Sequence, residues 1–267
     1  MKVGLIAGSG ELPIAFAKSS SQKKDDLTII AIKSSADKKL QQFGKTHWFS
    51  FTEPQKIIDF LKKENIQNLV MLGKIDHASI LFHFHKLDQR GKNFLNKLKD
   101  KRAKSILHSI IQELEEEGFI FIDPTPYLKE LLIPEGFIIN PVYNQGILKD
   151  VEFGMKIAKE IADLDIGQTV VVKDGVVIAV EGVEGTDKCI LRGGELGGEN
   201  TVICKTARSN QDMRYDVPVI GLKTLESMKK AKAKVLAVEA NKTFLLEKEK
   251  FINRAKEYGI TVLSFKI

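Results

Sequence analysis

Between Lys205 and Pro218 the chain sets Lys205, Arg208, Gln211, Asp212, Arg214 and Asp216 into one short polar stretch. Carboxylate oxygens are the hard ligands a magnesium ion takes from protein, and lysine or arginine cations stabilise charge on phosphoryl oxygens. The polar positions follow neither the helical nor the strand period, so the stretch reads as a loop. It leaves the apolar strand Thr201 to Cys204, and a polar loop at a strand end is the usual place for a site. Further acidic groups stand at Glu181, at Asp187 within Gly185-Thr186-Asp187, and at Glu239 where a later apolar run becomes a loop. Structural alternatives stand beside these roles. Asp216, ahead of Val217-Pro218, could cap a turn and pair with Arg214, and Asp187 could cap a helix. Gly193-Gly194 and Gly197-Gly198 either let backbone approach a phosphate or form a flexible loop.

The elements that would position these groups follow from apolar patterning. Lys2 to Ala7 is a strand, Gly8-Ser9-Gly10-Glu11-Leu12-Pro13 a turn, and a helical pattern runs through Lys18. Strand, glycine turn and helix open a nucleotide-binding α/β unit, in which helix N–H groups can hold a phosphate. Pro13 occupies the third glycine position of the dinucleotide fingerprint, so a plain tight turn is the alternative. Strands at Leu27 to Ile32 and Asn68 to Leu72 flank a helix from Pro54 to Glu64, which predicts a parallel, Rossmann-like sheet. Lys74 leaves the end of the latter strand, where such sheets bind ligands, or is simply solvated. His77, His83 and His85 lack visible carboxylate partners and are read as non-ligands. A helix from Arg102 to Glu117 stops at Gly118, and Phe119 to Ile122 is a strand.

Pro124, Pro126, Pro134 and Pro141 then cluster, placing a domain boundary and hinge between Thr125 and Asn144, with domains at 1–130 and 131–267. The second half predicts a helix from Asp150 to Ala162 and a hairpin over Thr169 to Val180 turning at Asp174-Gly175. Helices over Leu222 to Ala231 and Phe244 to Tyr258 follow, with strands at Val235 to Ala240 and Ile260 to Phe265. The expected class is therefore α/β in two domains: an N-terminal Rossmann-like parallel sheet and a C-terminal α/β domain with an antiparallel hairpin.

Composition is that of a folding chain: 267 residues, 43% hydrophobic and 28% charged, outside the disordered and fibrous classes. The net charge of +6 comes from 41 basic residues of which six are arginine. Such a lysine excess suits solvated helix surfaces or an anionic bilayer. One tryptophan and four tyrosines supply no interleaved aromatics for nucleic acid. Cys189 and Cys204 sit in apolar company and read as reduced core residues. No run approaches a membrane span and Met1 leads straight into a strand, so the expected location is cytoplasmic.

The runs Glu181 to Asp187, Gln211-Asp212-Met213-Arg214-Tyr215-Asp216-Val217-Pro218, Ile220-Gly221 and Val238-Glu239-Ala240, with Lys205, resemble the C-terminal domain of the LpxI-type UDP-2,3-diacylglucosamine pyrophosphatases. Asp165-Ile166-Gly167-Gln168 and Gly8 to Pro13 fit the same family, so the resemblance spans essentially the whole chain; from His77 to Lys104 it carries no residue. It implies a two-domain enzyme of lipid A biosynthesis in Gram-negative bacteria. The reaction implied is metal-assisted hydrolysis at the α-phosphorus of a lipid-linked UDP-sugar held between the domains. Asp212 and Asp216 are the expected ligands of Mg²⁺ or another divalent metal, with Lys205 and Arg214 beside them in catalysis. Substrate contacts are expected from Gly8, Ser9, Gly10, Leu12, Lys74, Glu181, Thr186, Asp187, Arg208, Gln211 and Glu239. A two-chain lipid calls for an apolar chamber and peripheral attachment to the anionic inner-membrane surface; a homodimer is left open. The competing readings are a nicotinamide-dependent oxidoreductase, weakened by Lys33 and Ser34 where an acidic ribose partner belongs, and a basic membrane-surface binder.

Overall fold

The structure is a computed structural model; it describes residues 1–74, 86–98, 103–141, 144–214 and 217–267. Two compact units divide the chain. The first is Met1–Lys129 with Met213 and Arg214; the second holds Glu130–Asp212 and Val217–Ile267.

In the first unit β1 (Lys2–Ala7), α1 (Glu11–Gln22), β2 (Asp26–Ile32), β3 (Lys45–Phe49), α2 (Pro54–Lys63) and β4 (Asn68–Leu72) alternate. After them come α3 (Gln89–Lys97), α4 (Ala103–Glu116), β5 (Ile120–Phe121) and the single turn α5 (Thr125–Leu128). The sheet order is β3-β2-β1-β4-β5 with every pairing parallel, the Rossmann-type order in which β1 is central. Ile30, Ile32, Leu69 and Phe121 are buried together against α2 and α4, which contribute Ile58, Leu61, Ile111 and Leu114. The edge strand β3 gives no apolar alternation of its own, since Lys45 and His47 are exposed; it is fixed by pairing with β2 and by Phe49 against Phe60 at 5.2 Å.

The second unit carries β6 (Ile138–Ile139), α6 (Gln145–Asp163), β7 (Thr169–Lys173), β8 (Val176–Val180), α7 (Thr186–Gly197) and β9 (Val202–Lys205). Then follow β10 (Val219–Ile220), α8 (Leu222–Lys230), β11 (Val235–Glu239), β12 (Phe244–Leu245), α9 (Lys248–Glu257) and β13 (Thr261–Phe265). Its sheet runs β6-β13-β11-β9-β7-β8. The central strands β13, β11 and β9 are parallel, and the β7–β8 hairpin adds to β9 antiparallel. Successive residues point to opposite faces, and both faces are buried. Val170, Val172, Val202 and Cys204 pack beneath Val151, Met155 and Ala158 of α6. Val171, Ile203, Leu236 and Val262 pack against Cys189 of α7, Met228 of α8 and Phe251 of α9. This explains the near-continuous apolar runs of these strands.

The hairpin turns where expected, at Asp174 (φ 50°) and Gly175 (φ 76°). The buried Asp150 carboxylate accepts both turn N–H groups, at 2.8 and 2.6 Å. Three expectations need correction. The glycine-rich segment is neither a flexible loop nor a phosphate cradle but lies in α7 and at its end. A side chain at Gly193 would meet Val171 at 2.6 Å and one at Gly194 the Ala231 carbonyl oxygen at 2.6 Å, so these glycines serve close helix packing. Phe244 and Leu245 are a strand paired with β10, and the helix begins only after Glu247 at φ 47°. Lys205 is the last residue of β9, paired with Thr169 and Val238, rather than the first of a loop. Among the described residues no helix is long and apolar enough to cross a membrane.

Candidate functional site

Lys205 is buried, 6% exposed, on the face of β9 that packs against α7. An isolated ammonium in such a place carries a heavy desolvation cost, so its partners define the site. Its Nζ donates to Thr186 Oγ1 at 2.9 Å and reaches Thr169 Oγ1 at 3.4 Å. Thr186, the first residue of α7, donates a hydrogen bond from its hydroxyl to Glu181 Oε1 at 2.9 Å. The hydroxyl therefore has one direction: it accepts from the cation and donates to the carboxylate. Glu181 follows β8, and its Oε2 accepts the Gln168 N–H at 3.3 Å.

The chain of bonds continues into the polar loop. Gln168 Nε2 donates to Gln211 Oε1 at 3.2 Å, and the same oxygen accepts the Arg208 N–H at 3.3 Å. The Arg208 guanidinium lies on Asp165 Oδ1, with Nε at 3.0 Å and Nη2 at 2.7 Å. Lys205, Thr186, Glu181, Gln211 and Arg208 are thus brought into one network, with Asp212 next in sequence. In the sequence Lys205, Arg208 and Gln211 stand in one polar stretch, Glu181 is a separate acidic candidate, and Thr186 enters with the family resemblance. Sequence reasoning missed Thr169, Lys159 and Asp163, whose only signal is position near the end of α6 and the start of β7.

Other candidates lie apart from that network or border it. Glu239 is 2% exposed; its carboxylate accepts from Lys159 Nζ at 2.9 Å to each oxygen and from the Ala207 N–H at 2.9 Å. Lys242 approaches it at 3.1 Å. Asp187 lies in the first turn of α7, where Gly185 is the cap residue; it pairs with Lys223 at 3.1 Å and accepts from the Ser227 hydroxyl at 3.3 Å. Arg214, in the first unit, pairs with Glu115 of α4 at 3.0 Å. Asp216, His77, His83 and His85 lie outside the described residues.

The glycine turn of the first unit is a different kind of object. Gly8 N donates to the Leu72 carbonyl and Ser9 N to the Lys74 carbonyl, both at 2.9 Å, and Lys74 N returns a bond to Ser9 O at 2.9 Å. A side chain at Gly8 would meet Lys74 O at 2.6 Å, and one at Gly73 (φ 90°) would meet Ser9 O at 2.7 Å. The first two N–H groups of the turn are therefore spent on β4's exit. Gly10, at φ 106°, caps α1 without a side-chain bond, which leaves the helix start at Glu11 and Leu12 as this turn's donor end. The Pro13 ring packs over Gly73, so the small residue that the dinucleotide fingerprint places on the helix stands here on the strand exit.

Electrostatics separate core from site. Burial, reinforced by the Glu181 carboxylate, pushes the Cys189 thiol up to about 12, and burial also raises Cys204. Both cysteines are free and buried. The Ser209 N–H and hydroxyl hold the Asp163 carboxyl below its ordinary value. Among the described residues no group of three His, Cys, Asp or Glu could hold a metal. Glu181, Glu239 and Asp187 are each engaged by hydroxyl, ammonium or N–H donors. The hard oxygens of Asp212 suit a divalent cation chemically, while its expected co-ligand lies outside the described residues.

A parallel first sheet and a mixed second sheet, with a polar network at the end of a central strand, define a two-domain α/β protein. Residues 2–131 match the LpxI N-terminal domain and residues 134–263 the LpxI C-terminal domain. The chain belongs to the LpxI family. It is 28% identical, over 98% of its own length and 96% of the relative's, to the UDP-2,3-diacylglucosamine pyrophosphatase LpxI of Caulobacter vibrioides. Phosphoribosylglycinamide synthetase from Anaerococcus prevotii superposes with a TM-score of 0.26 at 11% identity, over 76% of this chain and 44% of that one.

Proposed function

We propose that this protein hydrolyses the pyrophosphate of UDP-2,3-diacylglucosamine at the α-phosphorus. Water oxygen bonds to that phosphorus, the anhydride bond breaks, and the β-phosphate leaves on the sugar; the products are UMP and 2,3-diacylglucosamine 1-phosphate. Family membership supports the substrate class. The observation that carries the chemistry is the buried Lys205 ammonium wired through Thr186 to Glu181, one strand end away from Arg208, Gln211 and Asp212.

Lys205, Arg208 and Arg214 supply cations for the phosphoryl oxygens, and a preorganised donor in a dry site acts without reorganisation during the reaction. Thr186 and Glu181 hold the ammonium in place, and Gln211 adds an amide donor. A divalent cation bound by Asp212 and Asp216 would spread further charge off the pyrophosphate. In the first unit, Lys74 and the start of α1 from Gly10 to Leu12 are the proposed substrate donors. The lysine-rich surface is proposed to attach weakly and salt-sensitively to anionic bilayers.

The test is turnover of the purified protein on UDP-2,3-diacylglucosamine with its Asp212→Ala and Asp212→Asn variants. Each should lose about 100-fold or more in kcat, the scale of one lost electrostatic stabiliser. Substrate affinity should stay close to that of the parent, because the carboxylate acts on transition-state charge. Folded variants with parental turnover would remove Asp212 from the mechanism. A parent inactive on this substrate with magnesium or manganese would reject the reaction.

A further inference from the structure

The polar loop after β9 is held residue by residue by one short segment at the end of α6. Lys159 and Asp163 stand one helical turn apart and share a face; Asp165 and Gln168 follow in the turn toward β7. Lys159 Nζ donates to the Ala207 carbonyl at 2.9 Å. Asp165 takes the Arg208 guanidinium. Asp163 accepts the Ser209 N–H at 2.7 Å and the Ser209 hydroxyl at 2.7 Å. Gln168 reaches Gln211 and, through its carbonyl, accepts the Thr206 N–H at 3.0 Å.

At Ala207 this grip becomes a clamp. Its N–H goes to Glu239 Oε2 and its carbonyl to Lys159 Nζ, while Lys159 and Glu239 also bond each other. Both backbone groups of a fully buried residue are therefore tied to one ion pair, 15% and 2% exposed at its two side chains. Burying such a pair costs much of what its attraction returns, and well-packed apolar residues of similar volume usually stabilise a fold as well or better. Apolar side chains could fill the same volume but could not hold the Ala207 N–H and carbonyl, so what the pair alone supplies is a fixed backbone immediately before Arg208.

We propose that Lys159 and Glu239 are positioning residues: the pair fixes Ala207 so that Arg208, Gln211 and Asp212 are presented in one geometry, with Asp163 as a second anchor at Ser209. Neither Lys159 nor Glu239 touches the substrate on this assignment. The turnover readout rests on the proposed pyrophosphatase reaction; the structural readout does not.

The experiment is the double variant Lys159→Met/Glu239→Leu, compared with the parent in urea denaturation, in amide hydrogen exchange and in turnover of UDP-2,3-diacylglucosamine. The expected result is a midpoint at or modestly below the parent's, exchange over 206–212 at least about tenfold faster with β9 and β11 unchanged, and kcat down about 10- to 100-fold at nearly constant KM. Unchanged exchange in that loop overturns the proposal whether or not the parent is active. A parental midpoint together with parental kcat also overturns it, because the pair would then position nothing that turnover requires. An inactive parent with faster loop exchange in the variant sinks the reaction assignment and leaves the clamp standing. Should the double variant fail to fold, Asp163→Ala, which removes an exposed carboxylate, reads the same loop: exchange at Ser209 and Asn210 should rise, and no rise overturns the proposal.

Discussion

The glycine turn of the first unit and the polar loop of the second are each a short motif at the exit of a central strand, yet they are built from opposite materials. At Gly8 to Lys74 the contacts are mainly backbone to backbone: three N–H groups are consumed by carbonyls and two missing side chains permit the approach. At Lys205 to Asp212 the backbone is clamped from outside and the chemistry stays in side chains, of which Lys205, Arg208 and Gln211 are each held by another side chain. A motif made of backbone tolerates almost no substitution and offers little functional variety. One made of mutually held side chains can lose a member and remain folded, so its failures should appear in kinetics before stability.

The largest expected effect lies on the backbone side. Gly73→Ala places a methyl 2.7 Å from Ser9 O at a φ of 90°, an overpacked and strained position costing about 3 kcal/mol. The urea midpoint should fall accordingly; a midpoint within error of the parent's would dissolve the contrast. Next, Lys205→Met should leave a folded protein whose kcat on the proposed substrate is about 100-fold lower, checked by steady-state kinetics beside circular dichroism. If it unfolds instead, the second motif is as structural as the first. Smaller still, Thr186→Val removes the hydroxyl between Lys205 and Glu181 and should lower kcat about tenfold, close to one lost hydrogen bond to a charged group. Thr186→Ser should recover most of it, and a loss in Thr186→Ser with parental kcat in Thr186→Val would transfer the role from the hydroxyl to the methyl.

The smallest effect is a pH dependence. Asp163 has its carboxyl lowered from 3.8 by the Ser209 N–H and hydroxyl. A group depressed on folding contributes stability above its unfolded value, and that contribution is lost as pH falls through the folded one. The stability difference between the parent and Asp163→Asn should therefore be constant above about pH 5 and shrink below pH 3.8. A difference that grows on acidification would reverse the assignment.

The sequence by itself determined much of this protein. The β7–β8 hairpin was legible because Asp174-Gly175 is locally sufficient for a tight turn. The central strands were legible because burial on both faces leaves unbroken apolar runs. The candidate residues of the polar loop could be named together because they are adjacent in the chain. Tertiary structure decided what local signals leave undetermined. Nothing in Lys45 to Phe49 announces an edge strand, since its pairing with β2 is supplied from elsewhere in the chain. The glycines from Gly193 to Gly198 spell flexibility locally, and become helical packing only because Val171 and Ala231 stand against two of them. Glu239 read as a polar residue at a strand end; only the fold places Lys159 and Ala207 around it, from positions 80 and 32 residues distant. Local propensity acts over a few residues, whereas desolvation of a buried charge is settled by whichever partners the fold brings within hydrogen-bonding distance.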